Sequence, residues 1–158
     1  MQRAAMAYLE RYASSADNLR RVLRRKVDQR CRLRGEDSAE FYEAVDEVVA
    51  RAVRSGVVDD TRYAEGRVAS LRRRGGSARA IRAKLAQKGV TKDTIAAVLA
   101  GEPEDETAAA HALARRRRLG PYRPGARAPY REKDLAALAR AGFSFAVARD
   151  VIDGEVAD

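Results

Sequence analysis

Residues 59 to 99 read DDTRYAEGRVASLRRRGGSARAIRAKLAQKGVTKDTIAAVL, and their punctuation spells three short helices. Asp59 or Asp60 can cap a first helix carrying Tyr63, Ala64, Val68 and Leu71 on its apolar side, and Gly75-Gly76 ends it. Ser77 opens a second helix with Ile81 and Leu85 at i, i+4, which stops at Gly89. Thr91 caps a third bearing Ile95, Val98 and Leu99. The rest of the chain is legible as looser copies of this unit.

Downstream, an offset of 53 lays Leu85 on Leu138, Gly89 on Gly142, Val90 on Phe143, Thr91 on Ser144, Val98 on Val151 and Leu99 on Ile152. Upstream, an offset of 62 lays Ser77, Ile81 and Leu85 on Ser15, Leu19 and Leu23. Units this small bury their apolar stripes against neighbours, as helical repeats do. No segment alternates apolar and polar residues, so no sheet is expected. The expectation is an all-α fold, an elongated array of three tandem three-helix repeats with helix-turn-helix-like geometry: 1-57, 58-101, and 102-158 with a Pro-rich loop at 119-130.

The first repeat reads as a helix over residues 4 to 12, with Met6, Leu9 and Ala13 inward, then a helix from Ser14 or Ser15 with Leu19, Val22, Leu23 and Val27 inward. Residues 30 to 37 read as a loop. Asp37 and Glu40 form a capping-box-like start to a helix through Arg54, with Phe41, Val45, Val48, Val49, Ala52 and Val53 inward. In the third repeat, EPEDE at 102 to 106 opens a helix with Pro103 in its first turn and Arg115, Arg116, Arg117 and Arg118 at its end, an arrangement matched to the helix dipole.

Net charge is +9 with a pI near 10.2, and 27 of the 32 basic residues are arginine, which favours polyanions or acidic protein surfaces. The charge is segregated. Residues 36 to 60 carry eight carboxylates against Arg51 and Arg54, whereas residues 61 to 92 carry ten basic residues against Glu65. Candidate partner and nucleic-acid contacts are Arg20, Arg21, Arg24 and Arg25 on the first repeat, Arg72, Arg73, Arg74, Arg79, Arg82, Lys84 and Lys88 on the second, and Arg115 to Arg118 on the third. The competing reading is that each cluster is only a solvated helix face.

Residues 80 to 99 also have the layout of a helix-turn-helix, which keeps a DNA-binding transcriptional regulator as the alternative. The would-be recognition helix offers Lys92, Asp93, Thr94, Ala96 and Ala97, poor equipment for reading base edges. Cys31 is the sole cysteine and His111 the sole histidine, too few for a cysteine-histidine zinc site, and His111 reads as a surface residue. Gly75-Gly76 lacks the lysine of a phosphate loop. Neither catalysis, a cofactor nor a metal is expected. The absence of a long apolar run or a signal peptide, with the single cysteine, leads to an expectation of a cytoplasmic monomer away from membranes.

From residue 57 to 89 the chain resembles the RecX family of recombination regulators. The pattern is Asp59, Asp60, Arg62, Tyr63 and Ala64 at a helix start, an arginine-rich stretch from 72 to 75 ending in glycine, then a helix bearing Ile81 and Leu85 and ending in Lys88-Gly89. A weaker likeness extends over almost the whole chain, including the final segment 141 to 145. The first repeat departs from the pattern, having Lys26-Val27 where a Lys-Gly pair usually ends the second helix. The resemblance implies a non-catalytic protein that binds the RecA recombinase, lies in the groove of its filament on single-stranded DNA, and suppresses strand exchange, ATP hydrolysis and coprotease activity. The placement of the basic residues on the helices before the third adds an expectation of single-stranded DNA phosphate contacts without sequence preference.

Overall fold

The computed structural model describes residues 1–100 and 104–156, without the side chains at 104 and 105. Among these residues the chain is all α-helical: α1 (Gln2–Leu9), α2 (Ala16–Arg34), α3 (Tyr42–Arg54), α4 (Asp60–Arg73), α5 (Ala78–Gln87), α6 (Lys92–Leu99), α7 (Glu104–Arg117), α8 (Arg131–Arg140) and α9 (Phe145–Asp153). The expected helix opening at Glu102 and Pro103 lies outside the described residues.

Local capping chemistry places most of the boundaries. The side chains of Ser15, Asp59, Ser77, Thr91 and Ser144 each accept a hydrogen bond from the backbone N–H three residues on, satisfying one of the donors that a helix start leaves unpaired. Asp60 does something else. Its carboxylate accepts from the N–H of Ala16, the first residue of α2, at 2.8 Å, so one aspartate of the pair caps its own helix and the other caps a different one.

Four expectations are corrected. Residues 30 to 34 are not a loop: α2 runs through them because Leu19, Leu23, Val27 and Cys31 form an unbroken buried stripe at i, i+4, and only Gly35, with φ 69°, stops it. The Asp37 start is a 3-10 turn, Ser38–Phe41, in which Asp37 accepts from Ala39 N at 2.9 Å, and Phe41 sits at the surface rather than in the α3 stripe. Along α1 the buried residue is Ala5, with Met6 exposed, because a methyl side chain permits the closer approach. Val53 is likewise exposed at the end of α3. The Pro-rich loop contains two 3-10 turns, Gly120–Tyr122 and Ala128–Tyr130.

The residues divide into two compact units, Met1–Glu65 with Ala86–Ile95, and Gly66–Leu85 with Ala96–Asp158. The first is built on Leu19, Leu23, Val27, Cys31, Val45, Val49 and Val58. The second is built on Leu113, Leu119, Leu135, Leu138, Phe143, Val151 and Ile152.

Each unit contains the same fastening. In the first, Ser15 Oγ donates to the carbonyl of Lys88 while Asp60 accepts from Ala16 N. In the second, Ser77 Oγ donates to the carbonyl of Ala141 at 2.7 Å while Glu106 accepts from Ala78 N at 3.0 Å. The buried serine thus joins the N-terminus of one helix to the C-terminus of another, positive end to negative end. Glycine is required where the helix ends meet. Gly89 and Gly142 have φ of 73° and 98°, and a Cβ on Gly142 would lie 2.6 Å from Ser77 Oγ, while one on Gly89 would collide with the Asp17 side chain.

Candidate partner and nucleic-acid interface

Arginine on a helix is available to a partner only if the fold has not already used its donors. On α2 most of it is used. With Leu19 and Leu23 turned inward, Arg20 and Arg24 flank the stripe and reach Asp46 of α3: Arg20 Nε donates to Oδ1 at 2.9 Å, and Arg24 Nη2 donates to both oxygens at 2.8 and 3.1 Å. Arg24 also lies over the Tyr42 ring at 4.8 Å, and its buried Nε has no hydrogen-bond partner among the described residues. Arg21 pairs with Asp17 at 2.8 Å and donates to the Gln87 carbonyl at 2.7 Å. Lys88 Nζ donates to Asn18 Oδ1 at 3.2 Å. Arg25 is exposed without an ion pair to a described residue.

The second unit holds a different balance. Arg72 is tied down, its Nη1 donating to Glu106 and, at 3.2 Å, to the Gly76 carbonyl. Both members of that pair are largely buried, with side chains 16% and 22% exposed. Arg73 and Arg74, immediately beyond, are exposed. So are Arg79, Arg82 and Lys84 along α5 and Arg116, Arg117 and Arg118 at the end of α7. Arg115 stacks over the Tyr122 ring at 5.3 Å.

Gly75 brings two of these groups into one neighbourhood. A Cβ there would lie 2.6 Å from the Leu113 backbone nitrogen, so the end of α4 rests on α7 about one turn before Arg116 and Arg117. Arg73 and Arg74 precede this contact on the chain, Arg116 and Arg117 follow it by about one turn of α7, and none of the four forms an ion pair with a described residue. Arg118 closes α7 in the left-handed region, φ 55°, where glycine is the favoured residue.

Sequence reasoning passed over three carboxylates that decide this division. Asp17, Asp46 and Glu106 hold the guanidinium groups of Arg20, Arg21, Arg24 and Arg72, and the last two act across long sequence separations that no i, i+4 pattern reveals. It also missed Asp134. At the 53-residue offset Asp134 occupies the place of Ile81, and it is 1% exposed; it accepts from Gly120 N at 2.9 Å and from Arg123 Nη2 at 2.5 Å. A carboxylate standing in a core register was the available signal. The hydrogen bond from Arg123 to Asp134 pushes the Arg123 pKa up, and with the Gly120 bond it ties the Pro-rich loop to α8. His111 corrects another expectation. It is half-buried rather than on the surface, its Nδ1 is 3.0 Å from the Tyr122 hydroxyl, and burial, with Arg115 nearby, holds its pKa below the usual value.

The remaining motif residues lie at helix starts and ends. Asp59 caps α4 and Asp60 caps α2, the exposed Arg62 supplies the backbone N–H that Asp59 holds, Tyr63 is half-buried, and Gly89 meets Asp17. The segment from Asp59 to Leu99, residues 59–99, matches the family model described as RecX, second three-helix domain. A regulatory protein RecX from Myxococcus xanthus (strain DK1622) is 44% identical over 161 residues, covering 99% of this chain and 86% of that protein. The chain belongs to the RecX family.

Two more distant RecX regulatory proteins agree. One from Agrobacterium fabrum (strain C58 / ATCC 33970) is 41% identical, covering 60% of this chain and 51% of that protein, and one from Thermobifida fusca (strain YX) is 35% identical, covering 72% and 62%. No solved structure matches. The matched segment holds α4, α5 and α6, in agreement with the three-helix domain that the family model describes. No helix among the described residues is long and apolar enough to cross a membrane.

Proposed function

We propose that this RecX-family chain is a non-catalytic inhibitor of the RecA recombinase that binds the groove of the RecA filament on single-stranded DNA. It thereby suppresses ATP hydrolysis, strand exchange and coprotease activity, by obstruction and charge rather than by chemistry. The observation that carries this reading is the group of exposed arginines on the second unit, Arg73, Arg74, Arg116 and Arg117, left over after Glu106 has taken Arg72. Exposed guanidinium groups without an ion pair to a described residue suit phosphates and acidic protein surface, and contacts of that kind carry no base sequence.

The helix-turn-helix regulator is disfavoured by α6. Lys92, Asp93, Ala96 and Ala97 are its exposed residues, and Thr94 is half-buried with its hydroxyl 2.9 Å from that of Thr91. Two measurements test the proposal. DNA-dependent ATP hydrolysis by RecA should slow as this protein is added, and an unchanged rate at saturation overturns it. Binding across random duplex sequences should be flat and fall steeply with salt, whereas a preferred sequence favours the regulator.

A further inference from the structure

The first repeat carries helix that the repeat pattern does not use. α5 and α8 end at Gln87 and Arg140, just before Gly89 and Gly142. At the matching place α2 has Val27, which is buried, and the helix continues to Arg34, about two turns further. Along this overrun lies a groove of about 460 Å³, between α2, the start of α1 and Phe41. Its apolar surface comes from Met1, Leu23, Val27, Cys31, Leu33 and Phe41. Leu33 is 83% exposed, and Met1 and Phe41 are exposed beside it, so three large apolar side chains face water together.

The rim is charged with one sign in excess. Lys26, Arg30 and Arg34 stand on it against Glu36, which is 4.0 Å from Arg34, and neither Lys26 nor Arg30 forms an ion pair with a described residue. The groove floor follows α2 from Leu23 to Arg34, about 16 Å at the helical rise, a length that suits a short rod better than a compact small molecule. An apolar strip flanked by unpaired cations is complementary to a helix with apolar residues at i, i+3, i+4 and i+7 and carboxylates on its flanks.

From these features we infer that the overrun of α2 is a docking groove for an acidic amphipathic helix of a protein partner, with Leu33 and Phe41 as its apolar anchors and Lys26 and Arg30 as its charge selectors. The site lies on different residues from the arginine patch of the second unit and stands or falls independently of the RecA reading.

The test uses the full chain and fluorescein-labelled 16-residue helical peptides bearing Leu, Ile or Phe at i, i+3, i+4 and i+7 with Glu at the flanking positions. Lys-flanked peptides with the same apolar pattern are the controls, and anisotropy is read at moderate salt. Saturable binding of at least one Glu-flanked peptide is expected, with Kd raised about tenfold or more by Leu33→Asp and severalfold by Lys26→Glu with Arg30→Glu. Leu33 is exposed enough that its substitution leaves folding intact, which an unchanged circular dichroism spectrum and melting temperature verify. The inference is overturned if no Glu-flanked peptide saturates, if Lys-flanked peptides bind equally well, or if Leu33→Asp leaves binding unchanged. It is also overturned if sedimentation shows a dimer that Leu33→Asp dissolves, since the groove is then filled by a second copy.

Discussion

Ser77 donates its hydroxyl proton to the carbonyl of Ala141 at 2.7 Å while the same oxygen accepts from the N–H of Ala80 at 3.2 Å. A fully buried hydroxyl thus caps one helix and tethers the end of another. Ser77→Ala leaves the half-buried Ala141 carbonyl and a helix N–H without that partner, at a cost of about 1–3 kcal/mol. Thermal denaturation should show the melting temperature falling by several degrees, and an unchanged value would refute the tether.

Gly142 and Gly125 separate crowding from backbone strain. Both have positive φ, but a Cβ on Gly125 meets nothing within 4 Å, whereas one on Gly142 meets Ser77 and Arg79. Gly125→Ala should cost only the left-handed penalty, about 1–2 kcal/mol. Gly142→Ala should cost clearly more in the same denaturation series. Equal costs would mean that the helix end is not closely seated.

The arginines divide into two classes that mutate differently. Arg72→Ala breaks a partly buried pair and strands Glu106, which also holds the Ala78 N–H, and should destabilise by about 1–3 kcal/mol. Arg73→Ala and Arg74→Ala should stay within about 0.5 kcal/mol of the parent. Urea denaturation of the three variants distinguishes them, and equal effects would dissolve the distinction.

Much of this was legible in the sequence, and the physical reason is locality. Ser15, Ser77, Thr91 and Ser144 were readable as helix starts because a cap needs only its own side chain and an N–H three residues on. The offsets of 53 and 62 were readable because the same fastening recurs with the same serine and glycine. What escaped notice was non-local. Asp46 reaches back to Arg20 and Arg24, and Glu106 reaches Arg72, across separations at which sequence spacing says nothing. The overrun of α2 was the exception, since Cys31 continues the spacing of Leu23 and Val27 and its apolar character outweighs the arginines around it.

Asp134 tests the specialised third repeat. Replacing it with Leu restores the apolar residue type found at Leu19 and Ile81, yet leaves the Gly120 N–H and the Arg123 guanidinium without their acceptor. Loss of a buried charged partner predominates over gained hydrophobicity, so Asp134→Leu should destabilise by about 2–4 kcal/mol. A more stable variant would contradict this assignment.

His111 contributes a pH dependence of defined sign. Its folded pKa lies below the ordinary histidine value because burial, and then Arg115, penalise the cation. The unfolded chain therefore binds the proton more readily, and this contribution is complete above the ordinary value near 6.5 and is lost as the pH falls below it. His111→Gln should flatten the fall in melting temperature between about pH 7.5 and 5.5. An unchanged slope would show that the ring does not carry it.

We propose that the guanidinium groups without an ion pair to a described residue act on RecA while the paired ones hold the fold. The most direct measurement is RecA ATP hydrolysis on single-stranded DNA, titrated with the parent chain and with Arg73→Glu/Arg74→Glu/Arg116→Glu/Arg117→Glu. The parent is expected to slow hydrolysis, and the variant, at unchanged melting temperature, to need at least about tenfold more protein for the same effect. Equal inhibition by the folded variant, or none by the parent at saturation, would contradict it.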